Sequence, residues 1–354
     1  MLYLLYSQFD INVFQYITVR AGIAFIISIS FALILFPAFI RWAQSKSINQ
    51  PIYDLAPDSH QHKAKTPTMG GVVFITSTLI AALLTVRFDN FYALLGMSIL
   101  FLFMLIGFQD DYAKISSNSN SEGLSAKNKS LLQFMVSLFV MILLITHEGF
   151  TTELYLPFMK EAVFDMEIFA LLFWVFIMVG TSNAVNLTDG LDGLATVPSI
   201  FALLSLGSIV YITGHATISS YLYLPNVKEV GEVAILAAAL IGALIGFLWY
   251  NCHPAEVFMG DSGSLSIGAF IAYIAIIAKS EVLLVLIGLI FVIETVSVML
   301  QVGSFKMRKK RVFLMAPIHH HFEMKKWAEN KIIVRFWIIA MVSNLIALIS
   351  LKIR

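Results

Sequence analysis

Ten apolar stretches, each near the length needed to cross a bilayer, follow one another along this 354-residue chain with only short polar breaks between them. A hydrocarbon core of about 30 Å takes roughly 17–25 mainly apolar residues per helix. The stretches at 19–40, 70–86, 91–108, 131–146, 168–184, 194–213, 233–250, 265–278, 282–302 and 332–351 meet or approach that length. Lipid offers the backbone no hydrogen-bond partners, so a spanning segment must be a helix or part of a closed barrel. Stretches that are apolar throughout, with no alternation, predict helices. The expected fold is an all-α integral membrane protein of ten transmembrane helices, forming a single polytopic domain over residues 1–354. Composition agrees: 59% of residues are hydrophobic and 13% charged, against roughly 25% charged in soluble domains, and the mean hydropathy is +0.85.

A formal charge of +1 gives no electrostatic footprint for nucleic acid, so only the local distribution of charge informs. The single cysteine, Cys252, rules out an internal disulfide framework and a multi-cysteine metal site. The opening MLYLLYSQFDIN has no basic start and too short an apolar run for a cleavable signal, so the first span is expected to insert by itself.

Basic residues sort by side. The breaks after odd-numbered spans hold fifteen lysines and arginines, from Arg41 and Lys46 to Lys326 and Lys331; the other side, termini included, holds seven. The positive-inside rule makes the first set cytoplasmic and both termini extracytoplasmic. Five aspartates, Asp110, Asp111, Asp189, Asp192 and Asp261, fall in three breaks on that same cytoplasmic side. Ionisable groups beside membrane spans are costly unless they pair or bind something, so the cluster points to a site. The break at 147–167, rich in acids around YLPF, reads as an extracytoplasmic hairpin or interfacial helix.

In GFQDDYAK, Asp110 and Asp111 close the third span, with Lys114 at i+4 from Asp110. Adjacent carboxylates on a helix point apart, so one can face a ligand while its neighbour holds a metal or a lysine. An isolated pair would read as a solvated helix end; two further acidic breaks shift the reading to a site. NAVNLTDGLDGLA carries Asp189 and Asp192 at i, i+3, which stacks both on one face if the segment is helical. Its glycines admit a bulky ligand, and Asn183 and Asn186 add oxygen-rich surroundings suited to a divalent cation or ribose hydroxyls. A cap on the next helix would account for only one of these aspartates.

GDSGS, at 260–264, immediately precedes a helix whose free amides attract phosphate while Asp261 holds a cation bridging to it; an N-cap by Asp261 or Ser262 can coexist with that role. Asn251 and Phe258 nearby could bond and stack on a planar base. His319, His320 and His321 are adjacent and so point in different directions, which suits donation to phosphate better than zinc. Lys63, Lys65, Thr66 and Thr68 can bind a polyphosphate, and Gly70-Gly71 then opens the second span where helices pack closely. Glu294, inside the ninth span, is expected to pair with a neighbouring helix.

Together SHQHKAKTPTMGG, GFQDDYAK, GLSAKNK, NAVNLTDGLDGLA, NCHPAEVFMGDSGSLSIG and PIHHHFE cover essentially the whole chain. In identity and order they resemble the polyprenyl-phosphate N-acetylhexosamine-1-phosphate transferases, and within them the phospho-N-acetylmuramoyl-pentapeptide transferase family of bacterial peptidoglycan synthesis. TPTMGG and HHHFE separate this branch from relatives that transfer N-acetylglucosamine phosphate, the alternative function. The resemblance implies a magnesium-dependent enzyme of the bacterial inner membrane, its cleft facing the cytoplasm. Its expected partners are UDP-N-acetylmuramoyl-pentapeptide, undecaprenyl phosphate and membrane lipid, and it allows a homodimer.

By motif, the resemblance makes Asp261 the Mg2+ ligand with Asp189 close to metal and diphosphate, Asp110 the base near the lipid phosphate, and Asp111 its partner. It aligns Lys63, Thr66, Asn186, Gly190, Asp192, Asn251 and Phe258 with the uridine-diphosphate part, and Lys114 and Lys129 with phosphate contacts, Lys127 competing for the second. His319 falls with the substrate at its sugar-phosphate end, and His320 and His321 with catalysis. A rival class, an ion-coupled transporter, would place its acids near the bilayer midplane, not at one face.

Overall fold

The protein is described here by a computed structural model covering residues 1–46, 48, 66–117 and 123–353. A short helix α1 (Leu2–Phe9) precedes α2 (Ile17–Ser45), α3 (Gly70–Thr85), α4 (Phe91–Ser117), α5 (Ala126–Ile145), α6 (Phe169–Thr188) and α7 (Thr196–Thr213). After α8 (Ala216–Tyr221) come α9 (Val233–Asn251), α10 (Gly260–Ile277), α11 (Leu284–Ile287), α12 (Leu289–Arg308), α13 (Ile318–Met324) and α14 (Glu329–Ser350). Among the described residues nine helices have the length and apolarity to cross a membrane, and α3 is a shorter apolar helix. The ten apolar stretches map one each onto α2 to α7, α9, α10, the α11–α12 pair and α14.

Helix α10 is the axis. Every residue from Ser262 to Ile277 is buried, the pattern of a helix apolar on all sides, and α4, α6, α3 and α7 pack around it while α2 and α3 pack on α9. Close approach needs small residues, as expected for TMGG: a Cβ on Gly71 would run into the backbone of Gly263. The 147–167 break forms a hairpin, β1 (Glu153–Leu154) antiparallel to β2 (Phe164–Asp165).

Three features depart from the sequence reading. The ninth stretch is interrupted at Gly288, a poor helix former, so that α11 and α12 are separate and α12 runs on to Arg308. The eighth begins at Gly260, which draws Asp261 into the first turn of α10. Helix α1, too short to be stable alone, is anchored by tertiary contact: the Tyr3 ring lies 5.1 Å from the guanidinium of Arg20 and 5.0 Å from that of Arg87.

At the end of the bundle away from the aspartates, buried charges are held by partners within the protein. Arg20 grips Glu232 with both terminal nitrogens and donates to the Thr85 carbonyl at 3.1 Å, while Glu232 also accepts from the Arg87 amide at 2.8 Å. Glu281 accepts from the Trp174 indole at 3.0 Å, and Lys279 donates to the Thr151 carbonyl.

Candidate active site

At the other end α4, α5, α6 and α10 meet, and each contributes one polar turn. The last turns of α4 carry Asp110, Asp111 and Lys114. Gly107, one turn before Asp111, is what lets α4 come so close, because a Cβ there would collide with the backbone of Asp261. Asp111 then reaches the start of α10, where its two oxygens accept from the amides of Asp261 and Ser262, both at 3.0 Å. Helix N-termini leave such amides without intrahelical partners. The expected self-cap by Asp261 or Ser262 is therefore corrected: Asp111 caps α10 across helices, which leaves the Asp261 carboxylate free to face elsewhere.

Asp261 is the hub. Its Oδ2 receives Lys129 Nζ at 2.5 Å and Lys114 Nζ at 2.9 Å, and its Oδ1 receives Asn186 Nδ2 at 2.6 Å. Lys114 also lies 2.6 Å and Lys129 3.4 Å from Asp110 Oδ2, so both lysines are shared between the two carboxylates. Asp110 Oδ1 accepts from the Leu124 amide at 2.7 Å. Lys129 reaches this point because Ser125 starts α5, its hydroxyl accepting from Asn128 N at 3.2 Å. Asn186, in the last turn of α6, also donates to Ser264 Oγ at 2.8 Å.

A polar cavity of about 160 Å³ opens here, lined by Thr68, Asp111, Lys114, Asn186, Asp189 and Asp261 among others. Burial lifts the Asp189 carboxyl well above the usual carboxylate range, and the charges of Asp261, Asp111 and Asp192 push the same way. Among the described residues Asp189 has no ion-pair partner. A carboxylate offers about four lone-pair directions, and the three donors on Asp261 leave one. Hard oxygen donors with surplus negative charge fit a divalent cation such as Mg2+.

Asp189 and Asp192 do not share a helix face. Helix α6 ends at Thr188, and the following turn bends through Gly193 at φ +71°, a backbone that glycine adopts without penalty. Asp192 turns away, accepting from the Ala255 amide at 3.1 Å and lying 3.0 Å from His253 Nδ1. Its own amide donates to Glu329 Oε1 at 3.3 Å. The ligand-type atoms of Asp192, His253 and Glu329 lie within 4.8 Å of one another. His253 and Glu329 had no sequence signal beyond the nearness of His253 to Asn251.

The other expected residues that the structure describes lie on neighbouring segments. Asn251 is buried, accepting from Thr196 Oγ1 at 3.1 Å and donating to the Val257 carbonyl at 2.9 Å. Half-buried Phe258 bonds through its backbone to Pro67 and Gly70, which brings Thr66 alongside; Lys63 lies outside the described residues. The histidines point three ways, as adjacency demands. His319 turns inward beneath Gly190, His320 Nδ1 pairs with Glu323 Oε2 at 2.6 Å, and His321 Nδ1 accepts from the Leu314 amide at 3.1 Å. Burial and the nearby Lys325 hold the His321 imidazole below its usual range.

Comparison with known proteins adds a second line of observation. Residues 91–279 match glycosyl transferase family 4, and residues 63–75 match the phospho-N-acetylmuramoyl-pentapeptide-transferase signature 1. The chain is 65% identical to the phospho-N-acetylmuramoyl-pentapeptide-transferase of Sulfurimonas denitrificans and 64% identical to that of Nitratiruptor sp., each over 354 residues. It is 59% identical to the Helicobacter pylori protein of the same name over 356 residues, and in all three pairs 100% of both chains is covered.

Proposed function

The chain belongs to the phospho-N-acetylmuramoyl-pentapeptide-transferase family, and on that premise we propose that it moves phospho-N-acetylmuramoyl-pentapeptide from its UDP carrier to undecaprenyl phosphate, giving lipid I and UMP. The observation that carries this reading is the Asp261 junction, where two lysines and an asparagine converge on one carboxylate at the head of the central helix. A phosphate attacking a diphosphate brings several negative charges together, and the site must neutralise and align them. Lys114 and Lys129 would receive those phosphates, exchanging aspartate oxygens for phosphate oxygens.

Asp110, between the two lysines, takes the proton from the acceptor phosphate. The acceptor oxygen then attacks the sugar-linked phosphorus, and the bond to the UMP oxygen breaks with its electron pair. Asp261 and Asp189 would hold a Mg2+, whose charge there would offset that of the diphosphate. The 189–193 turn, Asn251 and Phe258 flank the nucleotide, and His319, His320 and His321 the sugar-phosphate end. The bias of basic residues supports a site facing the cytoplasm from the inner membrane; homodimerisation is tested by mass in detergent.

Purified protein given UDP-N-acetylmuramoyl-pentapeptide and undecaprenyl phosphate is expected to release UMP and form labelled lipid I, to stop with chelator and to recover with Mg2+. Activity confined to UDP-N-acetylglucosamine would overturn the substrate. Labelled sugar-phosphate trapped on the protein without lipid acceptor would overturn direct attack.

A further inference from the structure

Glu294 is a buried acid at the end of the bundle near the aspartates that the reaction does not use. It sits early in α12 at 0% exposure, and the group facing it is His319 at 1%, with Nδ1 3.1 Å from Glu294 Oε2. The approach is a close polar contact: among the described residues neither carboxylate oxygen and neither ring nitrogen has a hydrogen-bond partner. As the sequence predicted, the partner comes from a neighbouring helix, α13, on a segment that leaves and returns. From Glu294 to Arg308, α12 runs on for about 21 Å at 1.5 Å per residue. Gln301, two turns beyond Glu294 on the same face, then clasps the returning chain, accepting from the amides of Val312 and Phe313, each at 2.9 Å, and donating to the Phe313 carbonyl at 3.0 Å. One face of α12 thus guides the return of the histidine motif and meets its first ring. On that ring's far side His319 Nε2 occupies the space where Gly190 would carry a Cβ.

A buried acid of this kind is poor value as a stability device, since replacing a buried ion pair by apolar side chains is often neutral or stabilising, and within a membrane the penalty for the charge is higher still. A carboxylate against one nitrogen of an imidazole does, however, set its tautomer and its orientation. We propose that Glu294 is a positioning residue: it holds the His319 ring against Gly190 and so sets the height of the turn that carries Asp189 and Asp192. This rests on the transferase reading only where activity is the readout.

The test compares Glu294→Met, Glu294→Gln and His319→Ala in the full-length protein. Loss of the carboxylate behind a metal-ligating histidine typically costs roughly 10–100-fold, and the same scale is expected for one that positions a substrate-facing ring. Glu294→Met is expected to lose that much in kcat/KM for the UDP substrate, with the KM for the lipid acceptor and the Tm unchanged. Glu294→Gln, which still offers an oxygen to the ring, retains most of the activity. Adding Glu294→Met to His319→Ala produces no further loss, because the two act as one unit.

Wild-type kinetics in Glu294→Met, losses that multiply in the double variant, or a fall in activity that only tracks a fall in Tm would each overturn the proposal. With [15N]histidine, the ring signals missing from His319→Ala are expected to shift in Glu294→Met and to stay near their wild-type positions in Glu294→Gln. Unshifted signals in Glu294→Met sink the inference even if the wild-type protein released no UMP, an outcome that would by itself sink only the transferase reading.

Discussion

The two ends of the helix bundle handle buried charge in opposite ways. At one end Glu232 is matched by Arg20 through two bonds and by the Arg87 amide, and the two charges balance without any ligand. At the other, four carboxylates, Asp110, Asp111, Asp189 and Asp261, gather around two lysines, Lys114 and Lys129. Excess negative charge that the protein leaves uncompensated is a demand for a cation; charge that it compensates fully is architecture. The difference separates function from stability within one buried-polar inventory.

The strongest way to break this comparison is Asp261→Asn. If the carboxylate supplies the several kcal/mol of charge stabilisation expected of a metal ligand, turnover falls on the order of 10⁴-fold at 1.36 kcal/mol per decade, while the melting temperature holds. A variant with near-wild-type turnover would mean that the acidic end is also architecture. Next in size is Glu232→Ala, which strands Arg20 at 1% exposure. Removing one partner of a buried pair costs about 3–5 kcal/mol, so stability in detergent is expected to fall steeply while the folded fraction turns over at a normal kcat.

Asp111→Asn sharpens the comparison from within the site. Asn can accept only one of the two α10 amides well, a cap loss of about 1–2 kcal/mol, and kcat is expected to fall about tenfold because Asp261 loses its seat. If the nucleotide KM rose with kcat intact, Asp111 would be a substrate contact and not a cap.

The smallest effect is a pH dependence of stability at the opposite end. Burial pushes the Glu281 carboxyl up to about 7 from its ordinary 4.5. A raised carboxyl contributes stability that is fully present below the ordinary value and lost as pH rises through the raised one. The Tm is therefore expected to decline between about pH 4.5 and 7, and Glu281→Gln to flatten that decline. Lys279, held down to about 8 by its own burial, titrates above that window. A decline in wild type that persists unchanged in Glu281→Gln would assign it to another group.

Local patterns reached some of this. The i, i+4 relation of Asp110 and Lys114 was readable because both lie on one continuous helix, and the close packing of Gly71 because small residues at a helix start have few other uses. The cap that Asp111 places on α10 was not readable, since the two residues are 150 positions apart and only the approach permitted by Gly107 joins them. Expecting Asp189 and Asp192 on one face assumed helix where Gly193 turns the chain. Asp110 and Asp111 both engage Asp261 or its lysines, and Asp192 is the member that stands apart.

Sequence by itself determined that the chain spans a membrane many times, that its acids gather at one face, and which family motifs it carries, because hydrophobic length and local spacing are properties of contiguous residues. Tertiary structure alone decided what each acid touches. Whether a carboxylate caps a helix, shares a lysine, lies against a histidine or is left with no cation is set by groups that other helices bring within about 3 Å, and that proximity is written nowhere along the chain.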